Sequence, residues 1–187
     1  MSSWIRGVVC SAASLALAVG LLAQDKPAAP KPAVKKPVGG ILHPEMKVAD
    51  DAGTYAAPKT TLGEKPAEPW TATTLEAAVD KKPLASRVKT VKGEIIDLSC
   101  YLQLGKHGDK HKPCGTKCLK ANQPIGLLAE DGTVYLLMEE EHHPRRDGQT
   151  NLREKAIENI ATIVEVSGTA TLQNGYKALY VQGFVSK

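Results

Sequence analysis

One pattern, used twice, constrains this chain more than any other feature. Glu130-Asp131-Gly132 and Gln173-Asn174-Gly175 each separate two runs of apolar and β-branched residues. Asp-Gly and Asn-Gly supply the positive backbone angles that tight β-hairpins require. The flanking runs, 125–129 with 134–138 and 163–172 with 176–185, therefore read as paired strands. A further run at 88–98, rich in Val and Ile, reads as the strand before them, with Gly93 as an expected bulge or bend. Between the hairpins, Asn151 stands where a helix over 152–160 would be capped. Glu154 is placed for a capping box, and Leu152, Ala156, Ile157 and Ile160 share one face. The expectation over 86–187 is an all-β domain with one helix, in the order β-β-β-α-β-β. A hundred or so residues suffice for a single modest core.

The first 85 residues have a different character. Residues 1–6 are short and basic, 7–22 form an apolar run, and Ala23 offers a small residue for cleavage before Gln24, the three parts of a secretory signal peptide. The run is shorter than the roughly 20 residues of a membrane-spanning helix, so no span is expected after cleavage. The expected address is periplasmic or secreted, and Cys10 is expected to be lost on processing. Eight of the twelve prolines fall between Pro27 and Pro69. Residues 24–70 therefore read as a disordered Pro/Lys/Ala-rich tether, because such a segment buries too little apolar surface to offset its ordering entropy. A short lead-in helix is expected at 73–82, within a 71–85 segment, capped by Thr73 or Thr74 and stopped before Pro83.

Between the first two strands of the domain lies a connection of about 25 residues, far longer than an ordinary loop. It contains Cys100, His107, His111, Cys114 and Cys118, which include every cysteine remaining after signal cleavage. Pro113 suits the first position of a helical turn, Cys114 and Cys118 then fall at i and i+4 on one face, and Asn122 suits its end. With Cys100 at the end of the first strand, Cys100, His111, Cys114 and Cys118 form a candidate Cys3His set for one metal ion, with His107 in reserve. Three sulfurs and one nitrogen suit zinc, and the thiolate majority equally suits copper.

The strand order resembles the OB-fold, a five-stranded partly open barrel. More narrowly, Cys100-Tyr101, the H-x2-C-x3-C of His111 to Cys118, and PIGLLAEDGTVYLL from Pro124 resemble a group of small exported bacterial OB-like proteins with a Cys/His-rich first loop. That resemblance implies a fold and an address outside the cytoplasm; it implies no activity.

Other chemistries fit less of the sequence. Three cysteines in an oxidising compartment give one disulfide and an odd thiol, a disulfide-stapled binding module that leaves the histidines unexplained. Cys114 beside Lys110, Lys112 and Lys117 would suit a thiol-redox protein, with Cys118 as resolving partner. The loop from 100 to 123 carries five lysines against Asp109, which would suit a polyanion, a sugar or an envelope protein partner. Nucleic acid is disfavoured, because residues 86–187 hold 14 basic and 12 acidic side chains, close to balance. No Gly-rich phosphate loop, G-x-S-x-G elbow or convincing carboxylate pair argues for an enzyme. Glu139 to His143 reads as a polar loop, with a second metal site as the functional alternative.

Overall fold

The computed structural model describes residues 46–140 and 151–183. The expected signal peptide, tether residues 24–45, and His142 and His143 lie outside them. Strand β1 (Thr61–Leu62) and helix α1 (Ala72–Ala77) precede the long strand β2 (Ser86–Asp97). Helices α2 (Leu98–Leu104) and α3 (Lys112–Lys120) follow, then β3 (Ile125–Ala129), β4 (Val134–Glu139), α4 (Leu152–Glu158), β5 (Ile163–Gln173) and β6 (Tyr176–Val181).

Strand β2 organises the barrel because it is long enough to serve two neighbours. Ser86 to Glu94 pairs antiparallel with β5, while Gly93 to Asp97 pairs antiparallel with β3. The β3–β4 hairpin carries the wall onward, β4 pairs parallel with β6, and β6 returns antiparallel to β5. Strands β2, β3, β4, β6 and β5 close into a ring, and β1 covers part of the stretch of β5 that β6 does not reach. Both expected hairpin turns form, with φ of +79° at Gly132, +50° at Asn174 and +87° at Gly175.

Inside, Ile95, Leu127, Val164, Val166 and Leu179 are fully buried, and Leu119 from α3, Leu152 and Ala156 from α4, and Ile160 just after α4 close the same core. A smaller cluster of Ile96, Leu98 and Leu128 packs with Tyr101 from α2. The last third of β2 is thus covered on both faces, which buries Glu94 and Asp97 along with Ile95 and Ile96. Gly93 marks close approach rather than a bulge: it stays in register with Ala129 and Val164, and a Cβ there would lie 2.7 Å from Leu127 Cγ.

Several expectations are corrected. Within residues 86–187, three α-helices are present among the described residues instead of one, and two of them lie inside the long connection. Helix α1 is capped by Thr71, whose side chain accepts from Thr74 N–H, and not by Thr73 or Thr74. It attaches through polar contacts to Glu140, since Thr71 N–H and Thr71 Oγ1 both donate to Glu140 Oε1, at 2.9 and 3.2 Å. Asn151 makes no side-chain cap bond on α4, so the capping box does not form.

The largest departure concerns residues 46–70, read from composition as part of the tether. They lie along the barrel: β1 pairs parallel with β5, Leu62 joins the core, Ile163 N–H donates to Ala52 O and Lys59 N–H to Ile163 O, both at 2.9 Å. Trp70 meets Tyr180 edge-on at 5.3 Å. Proline lacks an N–H, but the residues between the prolines use theirs on the edge of β5.

Candidate metal centre

The connection from β2 to β3 is a folded unit, and Asp97 starts it. As the last residue of β2 and the N-cap of α2, Asp97 accepts from Ser99 N–H through Oδ1 at 3.1 Å. That bond satisfies one of the donors a helix start leaves open, and it turns the strand into a helix. Cys100 therefore sits in the first turn of α2 and not at the end of a strand. Gly105, at φ +67°, ends α2 in the left-handed conformation.

The return path is held by a buried carboxylate. Glu94, 2% exposed, accepts from Gly108 N–H at 2.6 Å and meets His107 Nδ1 at 2.8 Å. His107 is thus engaged with Glu94 and is absent from the donor groups described below. Gly108 has φ +74°, and a Cβ there would lie 2.3 Å from Lys47 O. Only glycine fits that crossing. A 3-10 turn at Asp109–His111 leads into α3, where Pro113 stands in the first turn. Gln123 N–H donates to Cys118 O and Asn122 N–H to Leu119 O, with Asn122 at φ +63°, the bonding of a Schellman terminator. Arg153 from α4 donates to Leu119 O and Gln123 O, at 3.0 and 2.9 Å, and fixes that end of α3.

These restraints bring donor atoms together in two groups that share Cys100. Among the described residues, the donor atoms of Cys100, Cys114 and Cys118 lie within 4.8 Å of one another, as do those of Asp97, Cys100 and His111. The four ligands expected from sequence are all here, distributed over both groups, and Asp97 is the addition.

Burial and unpaired atoms distinguish the inner side of the cluster. Asp97 is fully buried and His111 is 6% exposed. Asp97 Oδ2 and His111 Nε2 lie 3.9 Å apart, and neither has a hydrogen-bond partner. The separation is too long for a hydrogen bond and about half an ångström wider than the roughly 3.4 Å spanned by two ligands of one tetrahedral ion at about 2.0–2.1 Å, so a small closure lets one ion meet both atoms. Buried polar atoms are normally paired, so two facing orphans beside a thiol identify a place prepared for a ligand. A cluster of Cys, His and Asp here is able to hold one metal ion.

The electrostatics of the metal-free state agree with that reading. Burial, reinforced by Asp97, pushes the Cys100 thiol up to about 12. The Asp97 carboxylate, with burial adding to it, raises Cys118 as well. Burial lowers His111 from its usual value, against the opposing pull of Asp97, which favours a neutral ring with one nitrogen able to offer a lone pair. Without a cation these thiols keep their protons, and an incoming ion has to displace them.

Asp97 and Glu94 were not marked from sequence. Each stands in a Val/Ile-rich strand where a carboxylate at alternate positions reads as solvent-facing. The available signal was the spacing Asp-x-Ser ahead of Cys100, a helix-cap pattern directly after an apolar run. Among the described residues no helix is long and apolar enough to cross a membrane. Comparison of the chain with protein-family models, with curated proteins and with solved structures finds no match.

Proposed function

We propose that this is an exported OB-type metal-binding domain that holds one borderline divalent cation, zinc in first place, in the α2–α3 connection. The observation carrying this reading is the facing pair of unpaired buried atoms, Asp97 Oδ2 and His111 Nε2, beside Cys100. Mixed sulfur, nitrogen and oxygen donors favour zinc over copper(I), for which a carboxylate is a poor ligand. The OB assignment is supported by the ring order β2-β3-β4-β6-β5 with its parallel β4–β6 pair. Export rests on the basic and apolar segments of residues 1–23 and on the likeness to small exported bacterial proteins of this type.

Metal coordination would draw α2 and α3 together through Cys100, Cys114 and Cys118, so ion binding and order in the connection are one equilibrium. The five lysines of residues 100–123 offset the negative charge of a thiolate-rich centre.

Elemental analysis of the full chain exported to a bacterial periplasm, with thiols counted after denaturation, tests the proposal. One zinc per chain, and three thiols once the zinc is removed anaerobically, is the expected result. A metal-free protein with a single free thiol overturns it in favour of a disulfide, which the closeness of the three sulfurs also permits.

A further inference from the structure

The donors of the centre differ sharply in access. Asp97 and His111 are buried, Cys100 and Cys118 are half-buried, and Cys114 is exposed. Cys114 also belongs to one donor group, whereas Cys100 belongs to both. Loss of Cys114 therefore leaves the Asp97, Cys100 and His111 group intact, with Cys118 still beside Cys100, while loss of Cys100 breaks both groups. A structural zinc site is ordinarily closed by ligands that solvent does not reach. Here one sulfur faces outward, and its surroundings suit an approaching protein. Leu102 and Leu104 of α2 are 69% and 57% exposed. Lys106, Lys110, Lys112 and Lys117, all exposed, lie within eight residues of Cys114 in the same connection.

We propose that Cys114 is the exchange ligand of the centre, and that the ion is cargo handed to an acidic acceptor protein that offers its own thiol. This rests on the metal-binding reading above. In the transfer step the acceptor's sulfur forms a bond to the ion as the bond to Cys114 Sγ breaks. The proton leaving the acceptor thiol is taken up by Cys114, and no atom changes oxidation state. Asp97 and His111 hold the ion from within until the acceptor has replaced the outer sulfur. Positive charge around the mouth steers an acidic acceptor toward Cys114.

The test uses the zinc-loaded full chain, a chromophoric zinc chelator as final trap and dithiothreitol as thiol acceptor. For the wild type, the release rate rises in proportion to dithiothreitol concentration. Cys114→Ser keeps one zinc per chain and releases it about tenfold faster, whereas Cys100→Ser retains none. A wild-type rate independent of dithiothreitol overturns the proposal and leaves a closed structural centre. Equal loss of zinc from Cys114→Ser and Cys100→Ser also overturns it, because Cys114 would then be indispensable. A wild type that binds no zinc refutes the metal-binding reading itself, an outcome distinct from both.

Discussion

The two ends of strand β2 make an instructive contrast. At the Ser86 end, the barrel opens on a groove of about 540 Å³ lined by Arg87, Lys89, Tyr135, Thr171 and Lys177 among others. Polar groups there pair with one another: Lys89 Nζ meets Tyr135 Oη at 2.5 Å, and Lys177 Nζ donates to Thr133 Oγ1 at 3.3 Å. At the Asp97 end two carboxylates are buried, and they are treated differently. Both oxygens of Glu94 are engaged, by Gly108 N–H and His107, whereas Asp97 keeps Oδ2 unpaired opposite an unpaired His111 nitrogen. Cavity size favours the groove. Unmet bonding capacity favours the other end, and that is the better guide to a built site, because an orphaned buried group costs free energy that a ligand restores.

Removing the metal should sharpen this contrast most. If zinc is present at about a thousand times its dissociation constant, it adds about 4 kcal/mol to stability, so chelation should lower the melting temperature by many degrees, and zinc should restore it. Loss of protection against hydrogen exchange should be confined to α2 and α3. A chelator-insensitive melting curve for protein shown to carry zinc would break the comparison.

The next effect concerns Glu94. Its replacement by Ala leaves Gly108 N–H and His107 without their acceptor at a buried position, at a cost of about 1–3 kcal/mol. The loosened turn also carries His111, so zinc affinity should fall about 10–100-fold. Denaturant titration and competition with a chelator would measure the two effects separately.

A third effect is the pH dependence of the metal-free protein. The Cys100 thiol is raised from 9.0 to about 12 in the folded state, so folding holds that proton more tightly than the unfolded chain does. The resulting stability is fully present below pH 9 and is lost as pH rises from about 9 toward about 12. Metal-free protein should therefore weaken over that range, while the zinc-loaded form, whose ligating thiols have already lost their protons, should not lose this term. Parallel pH–stability curves for the two forms would count against a Cys100 ligand. Least of all, Lys89→Met at the groove end should cost about 1 kcal/mol or less and leave zinc affinity unchanged. A loss of affinity in that variant would show that the two ends are coupled.

Much of the barrel wall was legible because its signals are local. Asp131-Gly132 and Asn174-Gly175 specify hairpins within a few residues, and the apolar runs beside them align themselves once the turns are set. Helix α3 was legible for the same reason, with Pro113 near its start and Asn122 at its end. Helix α2 was hidden: Leu98-Ser99-Cys100-Tyr101-Leu102 continues an apolar run, and what ends the strand is a single side-chain bond from Asp97. Ala52, Lys59 and Leu62 were misread with the proline-rich segment because their partners, Ile163 and Val166, lie about a hundred residues away. Composition averages over a window and does not see such pairings. At the site, Cys and His announced themselves by type, whereas Asp97 and Glu94 required knowledge of which way a strand faces.

One small bond ties the first described residues to the turn that carries His111. Asp109 N–H donates to Lys47 O at 2.7 Å, directly against the crossing at Gly108. The chain thus enters its folded domain at the rim of the Cys/His pocket. Tension arriving along the backbone from the N-terminal side is delivered to the turn that carries His111 before it reaches any barrel strand. In mechanical terms the pocket lies in series with Lys47, and a pull on the backbone there loads the Cys/His frame first.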